Sequence, residues 1–135
     1  MIACRPSFLF VAVACASLAA AAAHARPTRD GFVCDTDKHH IVIDRVADRG
    51  ALRYRAWNKP HPVDGKPDVE VLGGTEATGG TDPCVSTDWS FKRGNIVYSV
   101  SDSAACTDGK PPRGAYGMVS VTIDKEFAAR YWCVK

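Results

Sequence analysis

The run Trp89-Ser90-Phe91-Lys92-Arg93-Gly94-Asn95-Ile96-Val97-Tyr98 reads as two strands joined by a tight turn. Trp89 and Phe91 alternate with Ser90 and Lys92, so one face is apolar and the other wet. Arg93-Gly94-Asn95 then supplies turn residues at hairpin spacing. The same two-residue rhythm spreads outward in both directions. Leu52, Tyr54 and Ala56 alternate with Arg53 and Arg55, and Val119, Val121 and Ile123 alternate with Ser120 and Thr122. Further β-rich runs are Phe32 to Thr36, His40 to Val46, Val69 to Leu72 and Phe127 to Val134. Asp48-Arg49-Gly50 and Asp124-Lys125 punctuate them.

This pattern predicts an all-β domain, a small antiparallel barrel or sandwich of about eight short strands. Three longer connections are expected at Asn58 to Pro67, Gly73 to Pro83 and Asp102 to Gly114. Loops of this length in a small domain often carry function.

The first 25 residues read as a removable secretory signal, and residues 26–135 as one domain. Arg5 is the positive start, Phe8 to Ala23 the apolar run, and Ala23-His24-Ala25 the cleavage site. The run is shorter than the roughly 20 residues a spanning helix needs, so no transmembrane helix is expected. A lipoprotein ending at Cys15 is the alternative, but Ala12-Val13-Ala14 lacks the Leu such a signal carries. Periplasmic or secreted localisation follows.

Of six cysteines, Cys34, Cys84, Cys106 and Cys133 remain after the signal. An even number in an oxidising compartment argues for two disulfides. Three connectivities are possible. Cys34 with Cys133 and Cys84 with Cys106 is preferred, because the first pair ties the terminal strands together. Zinc is the competing reading, but no two of these cysteines have C-x2-4-C spacing.

With Arg5 removed, 16 basic and 15 acidic residues remain. So small a balance argues against a nucleic-acid partner. No cofactor motif is found: Gly73-Gly74 and Gly79-Gly80 lack the Lys-Ser/Thr of a phosphate loop. No nucleophile elbow exists. His39 and His40 are adjacent on a strand and face opposite ways, so they do not chelate one metal ion. Asp35 and Asp37 share a face, but their polar setting is that of a solvated edge, not a glycosidase pair. The chain is therefore read as non-enzymatic. Its candidate binding residues are Arg53, Arg55, Lys92 and Arg93, cations suited to an envelope polymer or a secreted protein partner. An ordinary charged strand face, balanced by Asp44 and Asp48, is the competing reading.

Two resemblances rest on particular segments. Phe32-Val33-Cys34, Arg53-Tyr54-Arg55, Lys66-Pro67-Asp68-Val69-Glu70-Val71, the Phe91 to Val100 hairpin and Ala128 to Cys133 together resemble a group of exported bacterial β-domain proteins with no assigned activity. Separately, Trp89-Ser90-Phe91-Lys92-Arg93-Gly94 is similar to the aromatic-x-Lys-Gly segment of the MliC/PliC-type periplasmic inhibitors of c-type lysozyme. That likeness implies a small eight-stranded barrel whose first and last strands share a disulfide. It also implies a role for Lys92 against an active-site carboxylate. The second inhibitory motif of that family, a Ser-Gly-Ala-Arg-Tyr-like loop, has no counterpart at Thr78-Gly79-Gly80-Thr81. The expected function is thus a small exported binding protein. A lysozyme inhibitor and an envelope-polymer hydrolase are the alternatives.

Overall fold

A computed structural model describes residues 31–47 and 50–135. The expected signal, including Cys15 and the Ala25 site, lies outside these residues, as do Asp48 and Arg49. Nine strands form among the described residues: β1 (Phe32–Asp35), β2 (His39–Arg45), β3 (Leu52–Asn58), β4 (Val69–Leu72), β5 (Thr75–Gly79), β6 (Ser86–Arg93), β7 (Ile96–Ser101), β8 (Ala115–Ile123) and β9 (Glu126–Val134). They make two antiparallel meanders, β1-β2-β3-β4 and β5-β6-β7-β8-β9. Of the two architectures expected, the chain takes the sandwich; the sheets do not close into a barrel.

The ninth strand corrects one expectation. The sequence of Gly73 to Pro83 reads as loop, but Thr75–Gly79 pairs with β6. Every residue of β5 is exposed, so it carries no apolar alternation to betray it. Its pairing is set by the neighbour, which supplies the backbone ladder. Gly74 makes the crossing from one sheet to the other possible. A Cβ there would sit 2.5 Å from the Phe91 ring and 2.8 Å from the Ser90 carbonyl, so only glycine fits.

The inward faces carry the predicted apolar residues. Ile41, Ile43, Tyr54 and Val71 meet Trp89, Phe91, Val100 and Val119 in one core. Tyr54 stacks on Tyr98 with ring centres 4.8 Å apart, and Phe32 stacks on Trp89 at 5.3 Å. Burial of a side chain such as Ile41 or Phe91 contributes about 1.5–3 kcal/mol. Burial also pushes the Tyr54 phenol well above its ordinary pKa, so it stays neutral.

Both disulfides have the preferred connectivity, Cys34–Cys133 and Cys84–Cys106. The first joins β1 to β9 and so clasps the two sheets at their adjoining edges. Its cysteines are fully buried in the core. The second closes a 22-residue span around the β6–β7 hairpin, tying the segment before β6 to the loop after β7.

Candidate functional site

The four cations proposed from sequence do not share one surface. Arg53 and Arg55 project from the outer face of the first sheet, where both meet Asp44. Arg53 donates to the two Asp44 oxygens at 2.8 and 2.6 Å, and Arg55 donates to one at 2.7 Å. The register sets this up, since Asp44 is the cross-strand partner of Arg53. Asp44 is only 5% exposed. Burial pushes its carboxyl up, but the Arg53 hydrogen bond and the charges of Arg55 and Arg53 reverse this and hold it below its ordinary range. Arg55 also lies over the Trp57 ring at 5.4 Å. The expected cationic face is therefore drawn into an ion-pair cluster, two guanidinium groups sharing one buried carboxylate.

Trp57 itself lies under the loop that follows β3. Its indole N–H donates to the Gly65 carbonyl at 2.8 Å. Lys59 anchors the start of the loop on Asp35, at 2.7 Å, and on the Thr36 carbonyl, at 2.6 Å. His61 and the Asn58 amide hold Asp68 at its end, at 3.0 and 2.7 Å. The loop after β7 docks on the second sheet in the same manner. Arg130 donates to the Asp108 carbonyl at 2.8 Å and lies over the Phe127 and Trp132 rings. Two of the three long connections are thus packed against a tryptophan–arginine pair.

His39 and His40 diverge as the strand dictates. His39 meets the Tyr131 ring edge-on and hydrogen-bonds Asn58, while His40 turns to Asp35. Among the described residues no group of three or more His, Cys, Asp or Glu side chains is placed to hold a metal ion. Among them, too, no helix is long and apolar enough to cross a membrane.

Lys92 and Arg93 are neighbours in sequence but part company in space, because they lie on opposite faces of β6. Arg93 lines a cleft of about 400 Å³ with Lys66, Pro67, Asp68 and Glu70. Two carboxylates meet two cations there, which leaves little net charge for a ligand. The Asn58 amide, and then His61, hold the Asp68 carboxyl below its ordinary range. A glycosidase acid needs the opposite shift.

Lys92 lines a different and larger groove of about 770 Å³ on the outer face of the second sheet. This volume is typical of small-ligand sites, which run about 300–1,000 Å³. The floor is the cross-strand row Lys92, Val97 and Thr122. The rim is made by two hairpin turns, Gly94-Asn95 between β6 and β7 and Asp124-Lys125 between β8 and β9. Gly94 takes the positive φ of the first turn, and Asp124 and Lys125 both take positive φ in the second. The turns are locked together: Asn95 donates through its side chain to Asp124 at 2.9 Å, and the Asp124 amide donates to the Asn95 carbonyl at 3.0 Å. Lys125, Thr122 and Asn95 are the residues the sequence did not single out for binding. Both turns were legible, but that they lie side by side was not.

Comparison with known protein families, curated proteins and solved structures finds no significant match to this chain.

Proposed function

We infer that this chain is a small exported protein without a catalytic role, and that it binds an anionic partner in the groove between the two hairpin turns. The observation that carries this reading is the pair of lysines there. Lys92 and Lys125 line one preformed groove, and neither takes part in an ion pair among the described residues. Among the described residues the one carboxylate lining the groove, Asp124, is held by Asn95. A fixed groove loses little entropy when a ligand arrives. Export fits the leader-like first 25 residues and two disulfides, which persist in oxidising compartments.

Retention of the purified protein on carboxylate-bearing resin tests the reading. Retention should fall with added salt and disappear in the Lys92→Gln/Lys125→Gln variant. Undiminished retention of that variant overturns the assignment of the groove. N-terminal sequencing of the periplasmic form should start at Arg26; an intact Met1 in that fraction overturns cleavage.

The exposed position of Lys92 favours one second reading, inhibition of c-type lysozyme, in which this ammonium meets a catalytic carboxylate. A cell-wall turbidity assay separates the two. Unimpeded clearing at stoichiometric excess of the protein removes it.

A further inference from the structure

We propose that the groove takes an acidic oligosaccharide, a chain of sugars bearing carboxylates, laid across the strands of the second sheet. The proposal rests on the reading of the groove as an anion site and names the ligand class. Two features of the same surface argue for a sugar over a bare anion, and its charge argues for an acidic one.

The groove first offers more than charge. Thr122 brings a hydroxyl and Asn95 an amide oxygen, the amide nitrogen being given to Asp124, while Val97 provides an apolar floor. Phe127, the partner of Thr122 on β9, stands 63% exposed beside it. Arg130 lies over one side of its ring, and the exposed remainder suits the C–H face of a pyranose, which a bare phosphate lacks.

Next to the groove, the surface continues as a row of hydroxyls. Two residues along each strand from Lys92, Val97 and Thr122 come Ser90, Ser99 and Ser120, which are direct cross-strand partners. Thr75 extends the row onto β5 and Arg130 ends it on β9. Strands lie about 4.8 Å apart, so the row presents one polar group per step of that length. That step is close to one pyranose unit of an extended chain. All three serines are part-exposed, with their neighbours Trp89, Phe91, Val100 and Val119 turned into the core.

Charge then selects an acidic sugar over a neutral one. Lys92 and Lys125 are free to meet carboxylates at the groove. The other acid on this part of the face, Asp88, already accepts from Ser86 at 2.9 Å.

The test titrates the purified protein with oligogalacturonate, neutral dextran oligosaccharides and inorganic polyphosphate, following the amide signals of Val97, Ser99 and Thr122. Oligogalacturonate should shift all three signals, dextran should not, and polyphosphate should bind more weakly. Lys92→Gln/Lys125→Gln should weaken oligogalacturonate binding by about tenfold or more, the expected loss of charge-assisted hydrogen bonds. Ser99→Ala/Ser120→Ala should weaken it severalfold without changing the salt dependence. An unchanged melting temperature in both variants shows that the loss is not unfolding. Equal binding of polyphosphate, with the serine variant unaffected, overturns the sugar proposal and leaves the anionic groove standing. Failure to bind any of these polyanions overturns both.

Discussion

The Tyr116 hydroxyl donates to the Val33 carbonyl at 3.0 Å, and it also accepts the Asp35 amide at 3.1 Å. Both backbone groups lie on the edge of β1 that β2 leaves unpaired. One phenol on β8 therefore does there what a neighbouring strand would do. Tyr116→Phe should cost about 0.5–1.5 kcal/mol, because it takes the partner from two edge groups that lie near solvent. Amide exchange at Asp35 should accelerate. Unchanged exchange there would show that water serves the edge equally well.

The Asp44 cluster makes a second prediction. Asp44→Asn leaves two guanidinium groups facing a neutral partner. Solvent reaches both, each being about a quarter exposed, so the loss is smaller than for a fully buried pair. About 2–3 kcal/mol is expected, read from the urea midpoint. Charge reversal at Arg53 should likewise destabilise the fold and leave ligand binding at the Lys92 groove intact. A variant that keeps its midpoint but loses binding would restore Arg53 as a contact residue.

Acid should weaken the molecule in a defined window. The Lys59 hydrogen bond holds the Asp35 carboxyl low, and the Asn58 amide does so for Asp68; for Asp44, burial opposes the shift and the two arginines prevail. All three sit below the ordinary value of 3.8, so the unfolded chain takes up protons first. Their stabilising contribution is complete above about pH 4–5 and is lost as pH falls through the folded-state values. Urea midpoints measured across this range should drop on acidification. Trp57 fluorescence should change with them, since Lys59 and Asp68 hold the loop that covers that ring. A midpoint that rises on acidification would contradict the ion-pair assignments.

The two disulfides should differ in their response to reductant. Cys34 and Cys133 are both inaccessible, whereas Cys106 is exposed and Cys84 partly so. Mild thiol treatment of the native protein should therefore open Cys84–Cys106 and spare Cys34–Cys133, as peptide mapping would reveal. Replacing the inner pair with serines should be the costlier change. In the chain-entropy account, closing roughly 100 residues contributes close to 5 kcal/mol, against about 3 for a loop of some 20. Labelling of Cys34 before Cys106 would refute the order.

Much of this architecture is written in the alternation of side chains. Leu52, Tyr54 and Ala56 had to face inward once Arg53 and Arg55 faced out, and the even cysteine count argues for two bridges, with the observed pairing preferred among three because it ties the terminal strands. What escaped was whatever depends on a neighbour. β5 has no apolar rhythm of its own, because both of its faces are wet. Arg53 and Arg55 read as candidate contacts, with Asp44 only as a nearby balancing charge, because the strand register that brings Asp44 beneath them is a tertiary property. Lys92 and Arg93 read as one patch, although strand alternation already implied that they diverge. Lys125 was visible only as a turn residue, since the meeting of two distant hairpins leaves no mark in either.

Joining β1 to β9 makes the span from Cys34 to Cys133 a covalent ring whose closing Cα atoms lie 4.9 Å apart. Tension applied on the two sides of that ring is borne by sulfur, and neither sheet feels the load. Cutting the exposed Gly79–Pro83 segment would leave both pieces attached, so new chain ends could be opened there without releasing a fragment.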